Sequence, residues 1–394
     1  HESAPRGRLV LNGTPQGFTE LSNSETDVTR LIRNPASASK GNPKLGDKMA
    51  LIFTNSDSNG VVVATSGDTY VTRYFSTVSN VGSAFDFSTF DNTEYFVDGY
   101  LYGTQDGISS SVGAINLSVV VGPNASVYGA ISGVDLTGNS SLDSGQRVTN
   151  NGSIVGESNE GIDIRAGSSQ VVNNGFVSGG GVGVFMQGNF NSVYNTGSIF
   201  GNSDGIWISG DTAEIYNHSD VVAGADGLQI TGDNAEIVNT GTVTSGTDGL
   251  LLNGTGEITN SGDVTADFDG VDFNMSAGEA GKLINSGTIT STSVSTAAEA
   301  VEGSAGNETV INTGTINGVI EFQAGDDVYR GGQGTVTGSV DGGDGNDLLI
   351  GGAEDNVING GNQGDTIHGK DGNDTLNGQG GWGDIRGGAG NAAI

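Results

Sequence analysis

The chain has 394 residues, 70 of them Gly and only 25 aromatic (14 Phe, 9 Tyr, 2 Trp), and its formal charge is −32. That balance excludes nucleic acid and anionic membrane surfaces as partners, since both reward Lys and Arg, and it makes divalent cations the natural counter-ions. The absence of Cys removes disulfides, thiolate catalysis and Cys-ligated zinc together, so a chain of the cell exterior needs another staple, and the scarcity of aromatic volume points to a thin-cored, repetitive fold.

Residues 1–48 carry Arg6, Arg8, Arg30, Arg33, Lys40, Lys44 and Lys48 among Ser, Asn, Pro and Gly, which predicts an extended basic arm. Residues 1–50 sum to +2, seven bases against five acids, which leaves −34 for the remainder, so the two parts attract. The amino end, His1 to Gly7, lacks an apolar signal-peptide core, and no apolar run approaches the ~18 residues of a membrane span. Residues 49–122 hold eleven aromatic residues, including Tyr95, Phe96, Tyr100 and Tyr102, with alternating runs such as Met49 to Thr54. A small β-domain is expected there, capping the rod that follows or serving assembly.

From about residue 123 to 322 the chain is periodic. A recurring Φ-x-Asn-x-Gly-x-Φ sets Asn at 150, 173, 195, 217, 239, 260, 285 and 312, and a second column sets Gly at 161, 183, 205, 227, 249 and 270. Spacings of 21 to 27, mostly 22, predict an all-β, right-handed parallel β-helix of about 22 residues per coil, three short strands to a coil, with a stack of roughly eight coils about 40 Å long. Period-2 alternation turns Ile206, Ile208, Ile215 and Val221 inward, with Leu228, Ile230, Ile237 and Val243 stacked on them one coil later. Connections at 271–282 and 291–308 break the rhythm and are expected to leave the rod. The Asn column is expected to form an amide ladder along it.

Beyond residue 322 the period falls to nine. Gly342-Gly343-Asp344-Gly345-Asn346-Asp347-Leu348-Leu349-Ile350 is the clearest unit, and others begin at Gly351, Gly360, Gly369, Gly378 and Gly387. The motif G-G-x-G-x-D-x-U-x has a physical logic: glycines let turns aim carbonyls inward, one Asp per turn adds charged oxygen, and Ca²⁺ takes six to eight hard oxygens. Two units make an 18-residue coil, so 347/365 and 356/374 are expected neighbours. The candidate ligands are Asp327, Gly342, Asp344, Asn346, Asp347, Gly351, Ala353, Asp355, Asn356, Gly360, Asn362, Asp365, Gly369, Asp371, Asn373 and Asp374, with main-chain oxygen supplied at the Gly and Ala positions. Asn356 puts a neutral oxygen in the acidic place, Gly383 and Ala392 put none, and about two to four ions are expected, fading toward the C-terminus. Gly331 to Asp341 keeps glycines but has Val336 for the carboxylate, and is expected to splice two solenoids of different coil length.

Residues 342–391 resemble the RTX (repeats-in-toxin, hemolysin-type) family, and 148–316 look like the Asn-x-Gly coils of β-helical surface proteins and adhesins. The resemblance implies a C-terminal parallel β-roll over 323–394, calcium as cofactor, export by type I secretion and an extracellular location in a Gram-negative bacterium. It does not imply an activity, because RTX tracts accompany proteases, lipases, toxins, adhesins and surface-layer proteins. Nor does a catalytic motif stand out: His1, His218 and His368 are scattered, with no zinc-protease helix, nucleophile elbow or phosphate loop. The columns Asp204, Asp226, Asp248, Asp269 and Glu214, Glu236, Glu257 repeat with the coil, which favours turn hydrogen bonding and glycine's dihedral freedom first, further cation binding second and polysaccharide chemistry last. The function expected is a non-enzymatic, calcium-binding structural protein of the cell surface, self-assembling through the N-terminal region. An adhesin for a surface or glycan and a polysaccharide lyase or epimerase are the alternatives.

Overall fold

The computed structural model describes residues 83–86, 94–110, 116–137, 145–293 and 299–394, together with the strands Arg8–Leu11, Leu51–Thr54, Val71–Tyr74 and Val78–Asn80. The described residues form strands and turns only, arranged in three long sheets of 17, 12 and 14 strands. Each coil places one strand in each sheet: Glu214–Asn217, Asp220–Ala223 and Leu228–Thr231 are consecutive, and each pairs in parallel with the strand 22 residues on. The register is strict because one face is buried throughout, and a slip of one residue would turn every apolar side chain outward.

The inward set read from alternation is the core. Ile206, Ile208, Ile215, Val221, Leu228, Ile230, Ile237 and Val243 are all fully buried, and one continuous apolar cluster runs from Ala84 to Leu376. Each such side chain contributes roughly 1.5–3 kcal/mol by leaving water. No coil closes a core alone, so stability is shared between neighbours.

Two expectations need correction. The coil stack does not begin near residue 123. Glu94–Val97, Tyr100–Gly103 and Ile108–Ser109 pair in parallel with Ser118–Val121, Ser126–Gly129 and Val134–Leu136, and Val71–Tyr74, Val78–Asn80 and Phe85–Asp86 add a coil before them. Of the aromatic residues there whose burial is described, Tyr95 points inward into the common core, whereas Tyr100 and Tyr102 lie on the outer face. Among the described residues the second sheet therefore counts 12 three-sided coils rather than eight, a rod of about 50–55 Å at the sheet spacing. The arm assigned to 1–48 lies outside the described residues except for Arg8–Leu11, which pairs antiparallel with Leu51–Thr54.

The excursions are also shorter than expected. Within 271–282, Val271–Asn274 and the start of Ala280–Asn285 stay in their sheets, so only 275–279 departs, and even Met275 is buried. Within 291–308, Val301–Ser304 and the start of Asn307–Asn312 are strands, while 294–298 lie outside the described residues.

The coil shortens toward the C-terminus. The register offset in the first sheet is 25 and 27 at Glu257↔Lys282 and Lys282↔Thr309, then 19 at Thr309↔Val328, 20 at Val328↔Leu348, and 18 at Leu348↔Thr366 and Thr366↔Asp384. The second sheet ends at Thr335–Val336, inside the expected splice, and the other two sheets continue without it. A three-sided helix thus becomes a two-sided roll. Among the described residues no helix is long and apolar enough to cross a membrane.

Candidate metal centre

The roll keeps an aliphatic core, with Leu349, Ile358, Ile367 and Leu376 buried between its two sheets. Turns join the sheets along two edges. On the first edge Asp327, Asp347 and Asp365 stack, and each gives one carboxylate oxygen to the backbone of the turn before: Asp327 N–H donates to Asp347 Oδ1 at 2.8 Å, and Asp347 N–H to Asp365 Oδ1 at 3.2 Å. On the second edge Asn356 N–H donates to Asp374 Oδ1 at 3.0 Å. Pairs 347/365 and 356/374 are therefore neighbours in space.

The other oxygen of each Asp is the informative one. Asp327, Asp347, Asp365 and Asp374 are 1–2% exposed, and the Oδ2 of each is buried with no hydrogen-bond partner. A buried carboxylate left unpaired costs several kcal/mol, and four in one short tract demand a counter-charge. Side chains do not provide it. Among the described residues the ion pairs are Arg165–Asp163, Lys282–Glu257 and Arg386–Asp384, none of them on this column. Burial pushes Asp347 up to about 6 and raises Asp365; Asp327 is raised by burial and by the facing Glu308.

The glycines in first position complete a cradle. A Cβ on Gly342 would collide with Asp347 Oδ2 and with the carbonyl oxygen of Gly360, and one on Gly360 would collide with Asp365 Oδ2. Gly351 faces Asn356 Oδ1 and the Gly369 carbonyl; Gly369 faces Asp374 Oδ2 and the Gly387 carbonyl. Carboxylate and carbonyl oxygens converge on a space that only glycine leaves open, a hard-oxygen donor set suited to Ca²⁺. Asn356 is the exception among the acidic positions: its Oδ1 accepts from Gly352 N–H at 2.9 Å and needs no ion.

The remaining candidates divide from these. The side chains of Asp344, Asn346, Ala353, Asp355, Asn362, Asp371 and Asn373 stand on the outside of the turns. Several run as ladders between turns: Asn362 Nδ2 donates to Asp344 Oδ1 at 2.6 Å, Gly364 N–H to Asn346 Oδ1 at 3.3 Å, and Asn373 N–H to Asp355 Oδ1 at 2.6 Å. Their side chains do not join the buried carboxylates, so main-chain oxygen is what they have left to give an ion.

In the β-helix, Asn150, Asn173, Asn195, Asn217, Asn239, Asn260, Asn285 and Asn312 form an unbroken ladder of Nδ2–H···Oδ1 bonds at 2.8–2.9 Å, every member fully buried. The Asp204, Asp226, Asp248, Asp269 column spends its oxygens on backbone: Asp226 N–H donates to Asp204 Oδ1 at 3.3 Å and Glu299 N–H to Asp269 Oδ1 at 2.7 Å. The adjoining glycines have ordinary φ, so their dihedral freedom is not what the corner uses. Space is: a Cβ on Gly227 would strike Val243 and the Gly249 carbonyl of the next coil. Sequence reading missed that Glu299 and Glu302 close on Asp269, with ligand oxygens within 4.8 Å of one another. The helix loop between coils hid that meeting.

A parallel β-solenoid whose final turns collect unpaired buried carboxylates is a metal-stapled repeat protein. Residues 341–376 and 359–392 match the family of the RTX calcium-binding nonapeptide repeat (4 copies). The chain thus joins an RTX tract, whose nonapeptides bind calcium, to a parallel β-helix. No curated protein and no solved structure matches it.

Proposed function

We propose that this is a secreted, non-enzymatic structural protein of the cell surface, ordered at its C-terminal end by Ca²⁺ after export and assembling head to tail into a filament or lattice. The observation that carries the reading is the set of four buried Asp oxygens without partners. They favour an unfolded or loosened roll where calcium is scarce and a closed one where it is abundant, because ions that bind only the folded state add to its stability. A non-catalytic role is supported by the Asp column of the helix, whose oxygens cap backbone N–H groups coil after coil. Assembly is supported by charge: a basic N-terminal segment on a strongly acidic chain suits docking of one copy on the next.

Electron microscopy of the full chain in millimolar Ca²⁺, with and without EGTA, tests both parts. Filaments or sheets that disperse on chelation, and that fail to form when residues 1–48 are deleted, are the expected result. Dispersed rods in calcium would remove the assembly claim. A roll equally ordered in both buffers would remove the calcium claim.

A second reading, adhesion to a glycan, is favoured by one feature. Tyr100, Tyr102, Phe176 and Phe200 are 38–59% exposed along the outer face of the second sheet, and Tyr102 stacks on Tyr128 with ring centroids 4.8 Å apart. Planar rings exposed on one face, two of them stacked, suit sugar faces. Calcium-independent binding to immobilised glycans, lost in Tyr100→Ala/Tyr102→Ala, is the outcome that would favour it.

A further inference from the structure

The acidic column does not start where the nonapeptides start. Sheet register aligns Gly256, Gly281 and Glu308 at one corner position of three successive coils, and continues that position through Asp327, Asp347 and Asp365, each directly preceding a paired strand. The position is Ala213, Ala235, Gly256 and Gly281 in the four preceding coils and becomes acidic at Glu308, 33 residues before the matched repeat tract begins at 341. The local sequences align as well: Ala305-Gly306-Asn307-Glu308 lies under Ala324-Gly325-Asp326-Asp327 and Asp344-Gly345-Asn346-Asp347.

Hydrogen bonds repeat with the register. Glu308 N–H donates to Asp327 Oδ1 at 2.6 Å, as Asp327 N–H does to Asp347, and Asp326 N–H donates to Asn307 Oδ1 at 2.9 Å, as Asn346 N–H does to Asp326. A Cβ on Gly303, five residues before Glu308, would meet the Phe322 carbonyl oxygen, just as one on Gly342, five before Asp347, would meet that of Gly360. Glu308 is 1% exposed. Its Oε1 accepts from Ser304 Oγ at 2.7 Å, but its Oε2 is buried without a partner, and so is Asp327 Oδ2. The two carboxyl groups face each other, and when both are ionised neither can donate to the other, so only a shared proton or a cation can pair them.

We propose that Glu308 and Asp327 hold a further calcium ion at the junction, with carboxylate oxygen from each and main-chain oxygen from the Gly303/Phe322 corner. This ion clamps the first turn of the roll to the last coils of the helix. The proposal rests on the calcium reading above but extends it to a residue outside the nonapeptides, and it gives the helix a part in metal binding that its Asn ladder does not suggest.

Native mass spectrometry of the full chain in buffered Ca²⁺, with thermal melts in Ca²⁺ and in EGTA, tests it. Glu308→Gln is expected to bind one ion fewer than the wild type, and its calcium-induced rise in Tm to be smaller by ~3–6 °C. In EGTA the same variant should melt no lower than the wild type, because it removes an uncompensated buried charge. Asp327→Asn reads the same site from the roll side and should also lose an ion. A wild-type ion count in Glu308→Gln, or equal Tm changes with and without calcium, overturns the proposal while leaving the calcium reading intact. A wild type that binds no calcium overturns both.

Discussion

The helix and the roll share one core and differ in how they satisfy their corners. Both stack aliphatic side chains between parallel sheets, and the apolar cluster passes from one to the other without a break. At the helix corner a buried amide donates to the next amide and accepts from the one before, so each Asn is complete and uncharged. On the first edge of the roll each buried carboxylate accepts one backbone N–H and is left with an oxygen that nothing in the chain can pair. The Asn ladder is therefore finished by its own sequence, whereas the acidic column of the roll is left for an ion to finish.

The largest expected effect breaks the roll alone. Chelation with EGTA, or the triple change Asp347→Ala/Asp365→Ala/Asp374→Ala, should abolish calcium-dependent stabilisation of residues 339–394 by about 2.7 kcal/mol for each site held at a hundredfold excess over its Kd. Hydrogen exchange followed by mass spectrometry should show protection lost there and kept in 145–290. Uniform loss along the chain would mean that helix and roll are one cooperative unit.

The converse change strikes the helix alone. Asn217→Leu leaves Asn195 without its acceptor and Asn239 without its donor, at a cost of about 1–3 kcal/mol for each orphaned group, and the loss should be the same with and without Ca²⁺. A calcium-dependent penalty would contradict the self-sufficiency of the ladder.

A smaller effect concerns pH. Asp163 is pushed up to about 7 because burial outweighs the Arg165 guanidinium 3.0 Å away. Between pH 4 and 7 the folded chain keeps that proton while the unfolded chain releases it, so this group's contribution to stability falls as pH rises and levels off above about 7. Denaturation in EGTA across that range should show a shallower decline for Asp163→Asn than for the wild type; an unchanged slope would mean that the Asp163 carboxyl titrates normally in the fold. The smallest effect belongs to the half-exposed pair of Lys282 and Glu257, where Lys282→Met should alter stability by no more than about 0.5 kcal/mol.

The sequence by itself determined the repeat lengths, the inward aliphatic set, the Asn ladder and the acidic nonapeptide column, because each recurs at a fixed period and stacking turns period into contact. The place of Glu308 on the corner of Asp327 and Asp347 escaped a reading by period, since the offsets there are 19 and 20 and fit neither 22 nor 18. The upstream coils escaped for a related reason: Glu94–Val97 and Ser118–Val121 are offset by 24, and Tyr100 and Tyr102 on their outer side resembled a core of their own. Only the tertiary structure decided which oxygen of each Asp is spent on backbone and which is left over. That choice depends on the turn above, which no local pattern describes, and it is where the protein's need for a cation arises.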